Sequence, residues 1–340
     1  AFFDLSTSRL LSYTPLSCEH QFKRLTQTRR ELPTIRLAQS DHRGLCKIFF
    51  ELKSFTDRLT KGINRKSNTL SQGSNMPSAL GSIRICDFSG ILAGAGATKF
   101  LAAFGADVIR VEDPTREGRW DVVRGNPPYK DERRGINLGG GFNNHNVGKR
   151  GVTINLKHPE GLNLAKSLIR VSDVVHENFA PGVMDRLGLS YDVMKCCKSD
   201  IIYVSNSGFG HSGTYSQFKS FGPIAQAASG LSFTSGINDM EPAGWGYSYL
   251  DHTGAYYGAM AILLAIRHRN RTGEGQYVDI AASETGAVLH GPALLDHTVN
   301  DRTMREAGRV HANRSIWPPR APHGIYPAAG NDEWVAIACE

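Results

Sequence analysis

The sequence predicts an α/β protein built on a Rossmann-like, mostly parallel sheet, with a smaller second domain behind it. Three observations carry that prediction. From Ser82 onward, short apolar runs alternate with segments of helical period, the pattern of βαβ units, whose crossovers make neighbouring strands parallel. The helical segments carry start and stop signals, such as His158-Pro159-Glu160 ahead of one and Gly105 behind another. After Gly222 the composition shifts to small residues and Gly/Ser/Pro-rich loops, which marks a change of architecture.

In chain order, Ile83 to Phe88 reads as the first strand, Ala97 to Phe104 as a helix closed by Gly105, and Ala106 to Glu112 as the second strand. A loop rich in Gly, Pro and charge runs from Asp113 to Asn146, and Gly151 to Leu156 is the third strand. In the next helix Pro159 occupies the first turn, where its missing N–H costs nothing, and Glu160 lies near the positive helix end. Leu162, Ala165, Leu168 and Ile169 form its buried face. Asp173 to Glu177 and Ile201 to Ser205 are two more strands. Beyond Gly222, Ile224 to Gly230 is a small-residue helix and Thr253 to His268 a strongly apolar one. Thr272-Gly273-Glu274-Gly275 turns into the strand Gln276 to Ile280, and Ser283 to Val299 is a helix whose pattern His290, Gly291 and Pro292 interrupt. Two strands close the chain after Pro318 to Gly324, the last of them, Asp332 to Ala338, cut off at Glu340. No internal repeat is visible.

Composition excludes several function classes. The net charge of +7 suggests nucleic acid, but residues 1–80 hold 13 Lys/Arg against 6 Asp/Glu, while residues 81–340 hold 26 of each. A neutral globular body carries no electrostatic footprint for DNA or RNA. No run of apolar residues is long enough to span a membrane. The six cysteines lack CxxC spacing and a matching His pattern, which argues against a metal site or a disulfide framework and for a reducing, cytoplasmic compartment. The chain begins with Ala1 and its first methionine is Met76. Asp4, Glu19, Glu31, Asp41, Glu51 and Asp57 speak against a transit peptide in this stretch. Residues 1–77 are therefore expected to be an extension, disordered or lying upstream of a true start at Met76, and residues 78–340 the functional domain.

One carboxylate stands out. Asp251 lies in Tyr247-Ser248-Tyr249-Leu250-Asp251-His252-Thr253-Gly254, among aromatic, small and apolar residues, with no Lys or Arg before Arg267. Burial there disfavours the charged form. On residue type alone the simpler reading is a helix N-cap, because Asp, Thr and Gly before an apolar stretch make a good helix start. A second candidate motif is Gly94-x-Gly96 after the first strand, with Glu112 farther on, which approaches a dinucleotide-binding fingerprint. Its third glycine position is Lys99, too long for close helix–sheet packing, so NAD(P) binding is weakly supported.

Several separated motifs then point to a family. They are Ile85-Cys86-Asp87-Phe88-Ser89, Phe104 to Glu112, Asn146-Val147-Gly148-Lys149-Arg150-Gly151, and Glu177-Asn178-Phe179-Ala180-Pro181-Gly182 with Arg186-Leu187-Gly188. Ser207-Gly208-Phe209-Gly210 and Arg271 to Gln276 follow. In this order the chain from about Ser78 to Glu340 resembles the class III CoA-transferases, the group of formyl-CoA transferase, carnitine CoA-transferase and α-methylacyl-CoA racemase. The resemblance implies an interlocked homodimer and catalysis by an aspartate at the position of Asp251. It implies no cofactor beyond a coenzyme A thioester as co-substrate, and acyl-CoA and small carboxylic acids as partners. A chain ending at Glu340 is expected to lack part of the C-terminal segment that closes this dimer.

The resemblance also implies a CoA site lined by Ile91, Ala93, Ile154, Lys157, Asn178 and Phe179, with Arg186 and Lys219 facing the phosphates. Departures narrow the substrate. Leu92 stands where the formyl-CoA transferase pattern has glutamine, Asp113 where it has arginine, and Gly222 where it has glutamate. Phe221 occupies the place of the racemase branch's histidine, which removes the second acid/base that two-sided proton transfer needs, unless His211 or His252 substitutes. A racemase and a non-catalytic CoA-binding homologue remain the alternatives.

Overall fold

The computed structural model describes residues 78–235, 241–245, 248–305 and 319–339; the expected extension over residues 1–77 lies outside them. Six strands form one sheet: β1 (Arg84–Asp87), β2 (Asp107–Glu112), β3 (Arg150–Thr153), β4 (Val174–Glu177), β5 (Ile202–Ser207) and β6 (Tyr277–Ala281). All pair in parallel, in the order β3-β2-β1-β4-β5-β6. The order reverses between β1 and β4, and such a switch point opens a crevice at the carboxyl ends of the strands. A separate antiparallel pair, β7 (His323–Pro327) and β8 (Trp334–Ala338), matches the two closing strands.

Parallel strands covered on both faces read as apolar runs, and side chains alternate between the two faces. Ile85, Val108, Val174, Ile202 and Val204 join one apolar cluster with Leu101, Ile262 and Ile266. Cys86, Val111, Val175 and Tyr203 join the other with Ala165, Ile169, Met184 and Met194. The first face is covered by α1 (Ala93–Ala103) and, after the short α2 (Gly140–Asn146), the second by α3 (Pro159–Arg170), α4 (Val183–Arg186) and α5 (Tyr191–Cys197). His158 caps α3 by accepting from the Glu160 N–H at 3.3 Å, and Pro159 follows as the sequence implies.

Then come α6 (Gly222–Ala228) and the 24-residue α7 (Tyr249–Thr272), which returns along the first face beside α1 and stops at Gly273 with φ +80°. Its buried residues, Leu250, Gly254, Ala255, Gly258, Ala259, Ile262, Ala265 and Ile266, trace a stripe of helical period. The helix predicted over 283–299 is two: α8 (Ala282–Leu289) and α9 (Gly291–Asn300), divided where Pro292 lacks the N–H and clashes with the preceding turn.

Two expectations are corrected here. The predicted helix from Ala97 begins at Ala93, so Gly94 and Gly96 lie inside α1 rather than in a phosphate-binding turn. A Cβ on Gly94 would come within 2.8 Å of the Asn178 side chain, and one on Gly96 within 2.8 Å of the Ala255 Cβ. Their role is to bring α1 against α7 and against the end of β4. Likewise α7 starts at Tyr249, four residues earlier than predicted, so Asp251 is not an N-cap; Ser248 holds that place.

Because Gly96 is what lets α1 and α7 meet, Gly96→Val is expected to lower stability by about 1–3 kcal/mol through overpacking. Adding Ala255→Gly should restore part of the loss, measured as a double-mutant cycle in denaturant. Additive losses would show that the two positions are not in contact.

Candidate active site

Each crossover helix of a parallel sheet runs antiparallel to its strand, so the N-termini of α1 and α7 both lie at the carboxyl edge. Asp251 occupies the third position of α7. Its carboxyl receives hydrogen bonds from Ser248, one turn back, and from the backbone N–H of Gly222 at the start of α6. A Cβ on Gly222 would fall 2.5 Å from Asp251 Oδ2 and 2.7 Å from its Cγ, so only glycine permits this approach. Burial pushes the Asp251 carboxyl above the ordinary aspartate range, and the bonds from Ser248 and Gly222 pull in the opposite direction. The group is half-buried. It is a carboxylate stripped of part of its hydration, held by two donors and still reachable.

The neighbouring His252 turns to His145 of α2, with ring centroids 5.5 Å apart. Burial above all holds both imidazoles below the ordinary histidine range, with His145 and then Lys99 adding to the fall at His252 and Lys99 at His145. His211 lies elsewhere: its N–H donates to Asp279 at 2.8 Å and its Nε2 is 3.7 Å from Glu177 Oε1.

The turn between β1 and α1 forms the second part of the site. Asn178 brackets Gly90, with Oδ1 accepting from its N–H at 2.9 Å and Nδ2 donating to its carbonyl at 3.1 Å. Ile91 adopts φ +56°, a left-handed conformation that a β-branched residue adopts only under constraint, at a cost of order 1–3 kcal/mol. Its N–H donates to Asp121 Oδ2 at 3.3 Å. Trp120 covers this turn and packs on Phe179 with ring centroids 6.3 Å apart. Asp121 also pairs with the buried Arg110, whose neighbour Glu112 binds Arg124 through both oxygens at 2.7 and 2.6 Å. The Arg124 guanidinium in turn stacks 3.6 Å above Phe142. This network folds the charged 113–146 loop onto the sheet edge.

The candidates of the sequence thus fall into groups. Ile91, Ala93, Asn178 and Phe179 come together around the β1–α1 turn. Lys157, Arg186 and Lys219 are exposed. Ile154 is 8% exposed and packs in the second apolar cluster. Sequence reasoning missed the parts played by Trp120 and Asp121, and it took Gly222 only as a departure from a pattern. Gly222 had a signal, a glycine beside a run of apolar residues, but its partner is 29 positions away.

A second carboxyl lies beneath the site. Glu177 is fully buried. Its Oε2 accepts from the Phe179 N–H at 2.6 Å and its Oε1 from the Tyr203 hydroxyl at 2.9 Å. Burial pushes it up to about 7 against these two bonds, with Asp279 and Asp185 adding to the rise.

Fold and site together define a doubly wound α/β protein with a desolvated carboxylate at its switch-point edge. Residues 80–340 match the model of CoA-transferase family III. Over 261 residues the chain is 34% identical to the succinate–glutarate CoA-transferase of Agrobacterium fabrum (strain C58), a match covering 76% of this chain and 65% of that one. It is 35% identical over 263 residues to the succinyl-CoA–L-malate CoA-transferase beta subunit of Chloroflexus aurantiacus, covering 76% and 61%. The crystal structure of a CAIB/BAIF family protein from Brucella suis superposes with a TM-score of 0.66 at 31% identity, covering 76% of this chain and 65% of that one. The chain belongs to CoA-transferase family III. It spans a little under two thirds of the length of these relatives. Among the described residues no helix is long and apolar enough to cross a membrane.

Glu177 gives a pH signature. Unfolded, its carboxyl loses its proton near 4.5; folded, it keeps it to about 7. Stability is therefore highest below the lower value and falls as pH rises between the two, by on the order of 3 kcal/mol in full. Glu177→Gln, which cannot ionise, should raise Tm over the parent at pH 8 and leave it nearly unchanged at pH 4.5. Equal shifts at both pH values would contradict a buried titrating group.

Proposed function

We propose that the protein is a CoA-transferase that moves CoA from an acyl-CoA to a carboxylic acid, with Asp251 as nucleophile. The observation that carries this reading is the Asp251 carboxyl, part-desolvated and aimed by Gly222 and Ser248 at the carboxyl edge of a family III fold. A carboxylate in water is a weak nucleophile, and orientation with partial loss of hydration makes it effective.

The steps follow from the resemblance and balance as written. An Asp251 oxygen attacks the thioester carbonyl, the C–S bond breaks, and a mixed anhydride and CoA thiolate result. The thiolate attacks the Asp251 acyl carbon, expelling the donor acid and leaving an aspartyl-CoA thioester. The acceptor carboxylate attacks this thioester and releases the thiolate. Attack of the thiolate on the acceptor's acyl carbon then frees Asp251. On this reading Ile91, Ala93, Asn178 and Phe179, around the β1–α1 turn at the same carboxyl edge, would hold the CoA arm, with Arg186 and Lys219 at its phosphates. The relatives are named for succinyl-CoA, succinate, glutarate and malate, so short dicarboxylates are the acceptor class to test first. A homodimer is part of the proposal.

Two outcomes test it. Incubation with succinyl-CoA should give a covalent Asp251 adduct by mass spectrometry, which hydroxylamine releases. Asp251→Asn should bind CoA with unchanged affinity and lose turnover by more than a thousandfold, in the range seen when a nucleophile is removed. Turnover without modification of Asp251, or survival of activity in the Asn variant, would overturn the mechanism. Because the carboxylate must be ionised, kcat should fall on the acid side through a midpoint above that of an ordinary aspartate. Gly222→Ala, which pushes a methyl against Oδ2, should cost activity while leaving CoA affinity in place.

A further inference from the structure

Two of the motifs that mark the sequence, around Asp87 and around Lys149, have no part in the chemistry above. The fold brings them together. Asp87 at the end of β1 is 0% exposed and the Lys149 side chain 2%, and Lys149 Nζ stands 3.1 Å from Asp87 Oδ2 across 62 positions of sequence. The ammonium also donates to the Ala95 carbonyl in the first turn of α1 at 2.8 Å. Asp87 Oδ2 accepts from the Thr98 hydroxyl at 2.6 Å, one turn farther along α1. Asp87 Oδ1 accepts from the Ser89 N–H at 3.0 Å and from its hydroxyl. His176 Nδ1, on β4, faces the same oxygen at 3.6 Å.

A buried ion pair is weak evidence for stability, because removing two charges from water offsets most of their attraction. What this pair does is geometric. The N–H groups of three successive residues, Ser89, Gly90 and Ile91, each donate to a side-chain oxygen from a different segment: the end of β1, the residue after β4 and the 113–146 loop. The acceptors are Asp87 Oδ1 at 3.0 Å, Asn178 Oδ1 at 2.9 Å and Asp121 Oδ2 at 3.3 Å. Such multiple fixing is what keeps a strained residue in place, and the strained residue is Ile91 at φ +56°. Lys149 fixes the helix end of the turn and Asp87 fixes both ends.

We infer that Asp87 and Lys149 are positioning residues: a buried clamp that holds the β1–α1 turn in its left-handed form at Ile91, ready for CoA. This rests on the CoA reading above, but its direct readout does not. The variant Asp87→Asn with Lys149→Met removes both charges, keeps an acceptor for Ser89 and leaves no lone buried ion. In the full chain, hydrogen exchange of the Ser89–Ile91 amides should quicken about tenfold while the central strands stay protected. The CoA dissociation constant by calorimetry should rise about tenfold, the range set by backbone strain of this kind, with kcat within about threefold. Adding Ile91→Gly should slow exchange at Ser89 and Gly90 again, because glycine takes positive φ without a clamp. A merely structural pair would lower Tm without selective exchange at the turn and without rescue by glycine, and that result overturns the inference. Should the double variant not fold, Thr98→Val, which deletes one donor to Asp87, should still quicken exchange at Ser89–Ile91 severalfold, and no change there would also overturn it. Absence of CoA binding by the parent protein would instead remove the CoA reading, and the exchange result would decide the clamp alone.

Discussion

The approach of α1 to α7 is the constraint on which the site depends. Two helices packed side by side on one face of a sheet usually stand apart by the width of their side chains. Here Gly96 meets Ala255, and a Cβ on Gly258 would lie 3.1 Å from that of Ala97. The small residues let both helices settle on the apolar cluster of β1, β4 and β5. Since both helices begin at the carboxyl edge, the same contact fixes the Asp251 turn relative to the β1–α1 turn. A larger residue at the crossing would shift one turn against the other.

Burial then sorts the carboxyls at this edge into different tasks. Glu177 and Asp251 are both raised by loss of hydration, yet Glu177 is enclosed and its oxygens are taken by Phe179 and Tyr203. It can shape the Asn178–Phe179 segment but cannot meet a substrate. Asp251 keeps a solvent-facing side. Asp87 is enclosed like Glu177, but the Lys149 ammonium and the donors around it overcome burial and hold its carboxyl far below the ordinary range. Of the two raised carboxyls, only Asp251 combines desolvation with access.

The sheet was legible in the sequence because parallel strands buried on both faces are short apolar runs that little else imitates. Helix starts were less legible. An acid is favoured both at the N-cap and within the first turn, so Asp251 alone could not say which place it held, and four residues of α7 were assigned to the loop. The two glycines after β1 were ambiguous for a similar reason, since a glycine that admits a phosphate and one that admits a helix leave the same trace. The family resemblance supplied an expected role for Asp251, but not the reason Gly222 stands opposite it. Contacts made across 29 or 62 positions have no local periodicity to announce them.

That limit bears on how the motifs should be understood. Asp87 and Lys149 belong to segments that point to a family, and neither would touch a reacting atom. Residues of this kind serve where a backbone conformation is unfavourable by itself and must be enforced from several sides. The β1–α1 turn meets that condition, with a β-branched residue at positive φ and its three N–H groups bound to three different elements. Replacing one anchor alone by an apolar group would strand a buried N–H, and at Asp87 or Asp121 a buried cation, without its partner. Only joint replacement of Asp87 and Lys149 by packed hydrocarbon would be near neutral in stability while leaving Ile91 free to relax toward ordinary β space, which is why ionic groups occupy a place where packing alone would accept hydrocarbon.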